Sequence, residues 1–302
     1  MCYLTPYITH LITSNFGVIR EVKKIDHAFS NKVFYIKTQN QKLDNYQAIK
    51  EVILKVPSKT KKIFFNKLQE NKIITTLQPY NITPKILLQN PTKYTLFEYI
   101  KAPHLTSYDL SQTVISQLAD ILKTLHNHQC KVNLRNFKNI GLKYLHHRER
   151  NYPKENNNYQ TLGQDYFKQF KHKDEFLKIL DLIFIKIAKF KINYGLCHND
   201  LILTNLLLDT HKKLWIIDFE YASINDIYFD LALLEEILSK EQFTYFISLY
   251  FQSSPLPYEA EKLFFYSMVV DYIRITWYYA FGYDDYIAEA LVLLKKKLAK
   301  IK

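Results

Sequence analysis

The stretch from Cys197 to Leu231, CHNDLILTNLLLDTHKKLWIIDFEYASINDIYFDL, constrains this chain more than any other. Two short apolar runs, Leu206–Leu208 and Leu214–Ile217, flank a polar turn, Asp209–Lys213, a pattern that predicts a β-hairpin. Such a hairpin brings Asn205 and Asp218 close together at its open end. Asp200 precedes Asn205 at the spacing D-x4-N, and Asp218 follows Asn205 by thirteen residues. A single Asp or Asn near a strand end is usually a turn former. The whole string is different, because His198, Asp200, Asn205, Asp218, Asn225, Asp226 and Asp230 would all have to fall in place by chance.

Phosphoryl transfer explains the arrangement. It asks the protein for little covalent help, but needs a carboxylate near the attacking hydroxyl and metal ions to neutralise the phosphates. Mg2+ accepts carboxylate and amide oxygens while keeping waters and phosphate oxygens in its other positions. Asp200 is then the expected base, Asn205 one metal ligand and Asp218 the main one. D-x4-N is also the spacing of the catalytic loop in protein kinases.

HND-L-x3-N, then IDFEYA, then ND-x2-FDLA, resembles the choline/ethanolamine kinase family, in particular its bacterial choline kinase branch. That family lies in the aminoglycoside-phosphotransferase-like group, which shares the protein kinase fold. Protein kinases have D-F-G where this chain has Asp218-Phe219-Glu220, so the match is to small-molecule kinases. The resemblance implies Asp200 as catalytic base, Asn205 and Asp218 as Mg2+ ligands, and Asp230 as a structural carboxylate supporting the loop.

At 302 residues the chain can bury a sizeable core, in one large domain or two lobes. Its 41 basic and 29 acidic side chains leave a net charge of +12, which admits nucleic acid or an anionic surface as a partner. The abundance of Lys, Asn, Ile and Tyr points instead to a bias spread over the chain, and no nucleic-acid partner is expected. Cys2, Cys130 and Cys197 have no paired spacing, so neither a disulfide framework nor a zinc site is implied. No signal-peptide pattern and no spanning apolar run is legible, and a cytoplasmic location is expected.

Along the N-terminal part, Val18–Val22, Val33–Lys37 and Val52–Val56 read as strands, and residues 1–17 give no clear pattern. In the family, the turn between the first two carries a glycine pair before Ser/Thr-Asn and lies over the ATP phosphates. Ser30 and Asn31 match; Ala28 and Phe29 stand where the glycines would be. Val52–Pro57 resembles the family strand whose lysine, here Lys55, reaches the α- and β-phosphates. Lys59–Leu77 has helical apolar spacing and holds Glu70, placed as the family's partner for that lysine; the plain alternative is an i,i+3 surface pair with Lys67. Ile86–Leu88 and Tyr94–Ile100 read as a hairpin, and Glu98, Tyr99 and Ile100 resemble the hinge whose backbone meets adenine.

Thr106 and Asp109 have the spacing of a helix cap, ahead of an amphipathic helix ending in Leu125-His126. The spacing of His126, His128, His146 and His147 fits no metal signature. Lys131–Glu155 carries a local charge of +5, and Asn151–Gln160 reads as an exposed connection before helices around Asp165–Lys191. Phe229–Leu238 begins a further helix. Asp271 to Trp277 resembles the family's D-x2-W-x2-W helix, whose aromatic faces hold a quaternary ammonium. Trp277 matches the second tryptophan, and Arg274 stands at the first. Glu220 and Tyr221 are candidates for an anionic and an aromatic wall of the same pocket. The lysines of the tail suit a helix C-terminus.

The expected fold is α+β, two-lobed and protein-kinase-like. It has a nucleotide-binding lobe built on an antiparallel sheet (residues 1–100) and a mainly helical catalytic and acceptor-binding lobe (residues 101–302). ATP and Mg2+ are the expected cofactors, and the hydroxyl of an amino alcohol, choline or ethanolamine, the expected acceptor. Two rivals stay open: another small acceptor such as thiamine, an aminoglycoside or a sugar, and a kinase-shaped nucleotide-binding protein with little turnover. Nothing legible bears on oligomeric state.

Overall fold

The computed structural model describes residues 4–25, 31–39, 49–57, 66–90, 92–151, 173–252 and 258–301. The chain divides into two compact units, residues 1–124 with 202–222, and residues 125–201 with 223–302. The chain passes between the units three times, after residues 124, 201 and 222. Within the expected α+β class, the first unit carries the larger sheet and the second is mainly helical.

The first unit is built on a five-stranded antiparallel sheet in the order β1-β2-β3-β5-β4. Its strands are β1 (Val18–Ile25), β2 (Asn31–Gln39), β3 (Ile49–Pro57), β4 (Ile86–Asn90) and β5 (Tyr94–Glu98). β-Branched and aromatic residues dominate them, and alternate side chains of β2 and β3 enter the core. Phe34, Ile36, Val52, Leu54 and Leu96 are buried there. The unreadable N-terminus is a helix, α1 (Pro6–Phe16), which drops Ile8, Ile12 and Phe16 at i, i+4, i+8 into that core. Thr5 caps it with its side chain, Pro6 occupies the first turn, and Gly17 at φ 94° ends it.

Helix α2 (Lys67–Leu77) starts at Asn66, whose side chain accepts the Gln69 N–H. It occupies the C-terminal half of the expected helical segment; the rest of that segment lies outside the described residues. The Thr106/Asp109 pair does form a capping box, but around a 3-10 turn, Ser107–Asp109. The long helix, α3 (Gln112–Asn127), begins three residues after Asp109, where Ser111 Oγ accepts the Val114 N–H. The hairpin predicted from the apolar runs is present as β7 (Leu206–Leu208) and β8 (Leu214–Ile216), following β6 (Tyr194–Cys197) of the other unit.

The second unit pairs β6 antiparallel with β9 (Ser223–Asp226). Its helices are α4 (Phe137–Asn151), α5 (Lys173–Ile187), α6 (Tyr228–Ile237), α7 (Lys240–Phe251), α8 (Ala260–Phe281) and α9 (Asp284–Leu298). Helix α8 buries most of its residues because α4, α5, α6 and α9 pack around it. Gly141 lets α4 approach it: a Cβ there would lie 2.2 Å from the Tyr272 ring. Lys262 of α8 is buried and pairs with buried Asp226 at 2.7 Å, tying the helix to the end of β9. The exposed connection expected at Asn151–Gln160 falls almost entirely outside the described residues. Among the described residues no helix is long and apolar enough to cross a membrane.

Candidate active site

In the first unit the β7–β8 hairpin behaves as its sequence demands. Leu206 faces Ile216 in the register, and the Ile217 N–H donates to the Asn205 carbonyl at 2.9 Å. The residues that flank the hairpin, Asn205 and Asp218, therefore meet at its open end. Asn205 is buried, and Asp218 sits in the left-handed region at φ 67°, ψ 63°. A non-glycine residue there is uncommon and is retained where the surroundings over-determine it. The turn that follows, Phe219–Tyr221, is anchored by buried Phe219 and by Gln69 of α2, whose amide donates to the Ala222 carbonyl at 2.9 Å.

Lys55 of β3 donates to Asp218 Oδ1 at 2.9 Å and lies 3.9 Å from Glu70 Oε1. Burial alone would lower the Lys55 amine. The charges of Asp218, Glu70 and Glu220 outweigh it and hold the amine above its ordinary range, so Lys55 is a cation at neutral pH. Glu70 is 2% exposed and also accepts Lys67 at 2.7 Å. It is a buried bridge between two lysines, rather than the surface pair that spacing alone allowed. Asn31, the first residue of β2, donates its amide to Glu220 at 3.1 Å. The structure thus gathers Asn31, Lys55, Glu70, Asp218 and Glu220 into one polar cluster; Tyr221 is half-buried beside Glu220 in sequence. Ser30, with the rest of the turn before Asn31, lies outside the described residues.

At the expected hinge, the N–H of Glu98 donates to Lys85 O at 3.0 Å, and its carboxylate accepts the Lys85 N–H at 2.8 Å. Tyr99 N–H donates to Glu51 O at 3.3 Å, and Ile100 O accepts the Ala102 N–H. These groups of Glu98, Tyr99 and Ile100 hold the segment between β5 and the next turn.

In the second unit, the backbone leading to Asp200 closes on one carboxylate. The N–H groups of His198 and Asn199 donate to Asp230 at 2.7 and 2.8 Å, and Asp230 is fully buried. Asn199 is left-handed, at φ 63°, and its side chain donates to Ser223 Oγ and accepts from Asn225, each at 2.9 Å. Asp200 itself is half-exposed. His126, Cys197 and Asp230 place three potential metal-ligand atoms within 4.8 Å of one another. Both His126 nitrogens already face partners, and burial raises the Cys197 thiol well above its usual range, away from the thiolate that a metal requires. The group is a buried structural network.

Trp277 stacks on Tyr283, with ring centroids 5.2 Å apart at 16°, and touches Phe281 and Tyr278. One face of its indole is thereby covered. Arg274 forms an ion pair with Glu236 of α6 and lies 3.5 Å from buried Asp271, which Lys297 approaches at 2.7 Å. The cation that replaces an aromatic residue is already neutralised, and one lysine of the tail has a partner in the core. Reading the sequence missed Gln69, Glu236, Lys297 and Tyr250. Only Gln69, the immediate neighbour of Glu70, carried any local signal.

Residues 22–267 match the family model for choline/ethanolamine kinase. The chain belongs to that family. It is 32% identical over 154 residues to a LicA homolog of Mycoplasma capricolum subsp. capricolum, covering 48% of this chain and 61% of that one. It is 26% identical over 214 residues to probable choline kinase 1 of Arabidopsis thaliana, covering 70% of this chain and 58% of that one. The chain thus spans less than two thirds of these two curated relatives. Among solved structures, choline kinase LicA from Streptococcus pneumoniae superposes with a TM-score of 0.72 at 24% identity, over 97% of this chain and 98% of that one. A LicA structure in complex with AMP gives 0.71 at 22% identity, over the whole of both chains. The fold is the α+β, protein-kinase-like fold of these enzymes.

Proposed function

We propose that this chain is a Mg2+-dependent kinase that moves the γ-phosphoryl group of ATP to the hydroxyl of choline or ethanolamine. The observation that carries the reading is the Lys55–Asp218 ion pair at the open end of a hairpin that also holds Asn205. Family membership and the AMP held by a LicA relative support the nucleotide.

The donor set suits the metal. Asn205 and Asp218 offer the hard amide and carboxylate oxygens that Mg2+ takes. Around Lys55, the carboxylates of Glu70, Asp218 and Glu220 outnumber the ammonium groups of Lys55 and Lys67, leaving one negative charge in excess. Bound there, Mg2+ would neutralise phosphate charge as it builds up. Lys55, with Ser30 and Asn31, binds the phosphates, and the segment Glu98–Ile100 faces the base. Residues 1–100 serve the nucleotide, and residues 101–302 carry the catalytic and acceptor groups.

Asp200 accepts the proton of the acceptor hydroxyl as that oxygen bonds to the γ-phosphorus. The bond from the γ-phosphorus to the bridging oxygen breaks, and ADP leaves with its electron pair. Glu220, Tyr221 and Trp277 are the acceptor-binding groups: an anion and aromatic faces for a cationic head. A kinase drawing on cellular ATP belongs in the cytoplasm.

Ethanolamine is the second reading within this class. An ion-paired arginine replaces one aromatic wall, and Tyr283 covers a face of Trp277, both of which weaken a cage for a quaternary ammonium. ADP release with choline, ethanolamine, thiamine and an aminoglycoside tests the whole reading. Turnover on choline or ethanolamine should fall by about 10^3-fold in Asp200→Asn. Turnover on neither, with ATP still bound, would overturn it.

A further inference from the structure

We propose that Tyr250 is a positioning residue for the loop that carries Asp200, acting through His126 and Asp230. The inference rests on Asp200 being the base. Tyr250, on α7, is 124 residues from His126 in sequence, yet its hydroxyl lies 2.6 Å from His126 Nδ1. The other ring nitrogen, Nε2, lies 3.1 Å from Asp230 Oδ2. That same oxygen accepts the His198 N–H, and its partner Oδ1 accepts the Asn199 N–H, one residue before Asp200. Tyr250 and His126 are each 6% exposed, and Asp230 is fully buried. Water therefore has little access to any link of the chain.

The order of donors follows from the protons. Burial, then the neighbouring Cys197 and Asp230, push the Tyr250 hydroxyl far above neutrality, so it keeps its proton. A protonated hydroxyl can still accept, so Asp230 sets the direction: it accepts the Nε2–H, which leaves Nδ1 to accept from the Tyr250 hydroxyl. In the opposite tautomer a lone pair on Nε2 would face the carboxylate at 3.1 Å. Asp230 Oδ2 would swing away from the repulsion and loosen its bond to His198. The loop has small tolerance for this, because Asn199 is held left-handed at φ 63°. Asp230 selects the tautomer, Tyr250 satisfies the nitrogen that this tautomer leaves as an acceptor and so holds the ring against Asp230, and Asp230 fixes the backbone that presents Asp200.

Tyr250→Phe removes the hydroxyl and keeps the ring. The expected result is a fall in kcat of about tenfold, the scale of one buried hydrogen bond, with both KM values within about twofold of the parent. Nitrogen-15 spectra of His126 should change from a single Nε2–H tautomer to a mixture, and the His198 and Asn199 amides should exchange faster. In a His126→Gln background, whose amide donates to Asp230 without tautomers, adding Tyr250→Phe should change kcat by less than about twofold. An unshifted tautomer with unchanged amide exchange would overturn the proposal, as would equal losses from Tyr250→Phe in both backgrounds. If Asp200→Asn leaves turnover intact, the assignment of the base fails. The tautomer and amide-exchange measurements still decide whether Tyr250 orders the loop.

Discussion

Asp218 and Asp230 are both aspartates in the stretch that defines this chain, and they are held in opposite ways. Asp218 is 31% exposed at its side chain, left-handed in its backbone, and balanced by the side-chain charge of Lys55. Asp230 is fully exposure-free and takes backbone N–H groups and an imidazole, donors fixed in place by the fold. A charge balanced by another side chain can exchange that partner for an arriving cation. A carboxylate satisfied by buried backbone donors cannot, since releasing them leaves each unpaired at a cost of about 1–3 kcal/mol. The first arrangement suits chemistry and the second suits architecture.

Exchanging each aspartate for its amide should separate the two. Asp218→Asn should lower turnover by about 10^3-fold, because on the proposed reading it removes a charge that stabilises the transition state. Its melting temperature should stay within a few degrees of the parent. Asp230→Asn places an amide N–H against backbone donors, and its melting temperature should drop by about 5–10 °C. Calorimetry beside the ADP-release assay measures both. Equal losses of stability would erase the distinction.

Lys55→Met should come next in size, lowering kcat/KM by about 10^2-fold through loss of the proposed phosphate contact and a misplaced Asp218. Glu70→Gln should lower it by about tenfold, since Glu70 touches Lys55 and, on the proposed reading, reaches the phosphates only through it. A Glu70→Gln loss as large as that of Lys55→Met would mean that Glu70 has a role of its own.

What was legible in the sequence follows the same division. The strands around Lys55 and the β7–β8 hairpin are local patterns of β-branched and apolar residues, and the acidic and amide residues lie at fixed distances from them. Once the hairpin is granted, Asn205 and Asp218 must meet. Helix α1 did carry signals, Thr5, Pro6 and Gly17, but its polar face broke the apolar run that would have announced it. The Thr106/Asp109 box was real and capped a shorter element than expected. Arg274 with Glu236 and His126 with Tyr250 were out of reach, because the partners lie 38 and 124 residues apart and pairing between packed helices has no period.

The smallest effect lies in the β7–β8 turn, where a third aspartate combines features of the other two. Asp209 is partly exposed, like Asp218, yet it accepts the N–H groups of His211 and Lys213 and the indole N–H of Trp215, at 2.9, 3.0 and 2.9 Å. Burial raises its carboxyl, but the Trp215, Lys213 and His211 donors outweigh burial and hold it below the ordinary carboxylate range. A folded value below the unfolded one means that its stabilisation is complete above the unfolded value of about 3.9, and is lost as pH falls through the folded value. In a Trp277→Phe background Trp215 is the one remaining tryptophan. Its emission should stay constant from neutral pH down to about pH 4, over the range in which far-ultraviolet circular dichroism is unchanged. Asp209→Ala should cost about 1 kcal/mol, a few degrees of melting temperature. An emission change centred above about pH 4, with secondary structure intact, would place Asp209 with the exchangeable carboxylates rather than the architectural ones.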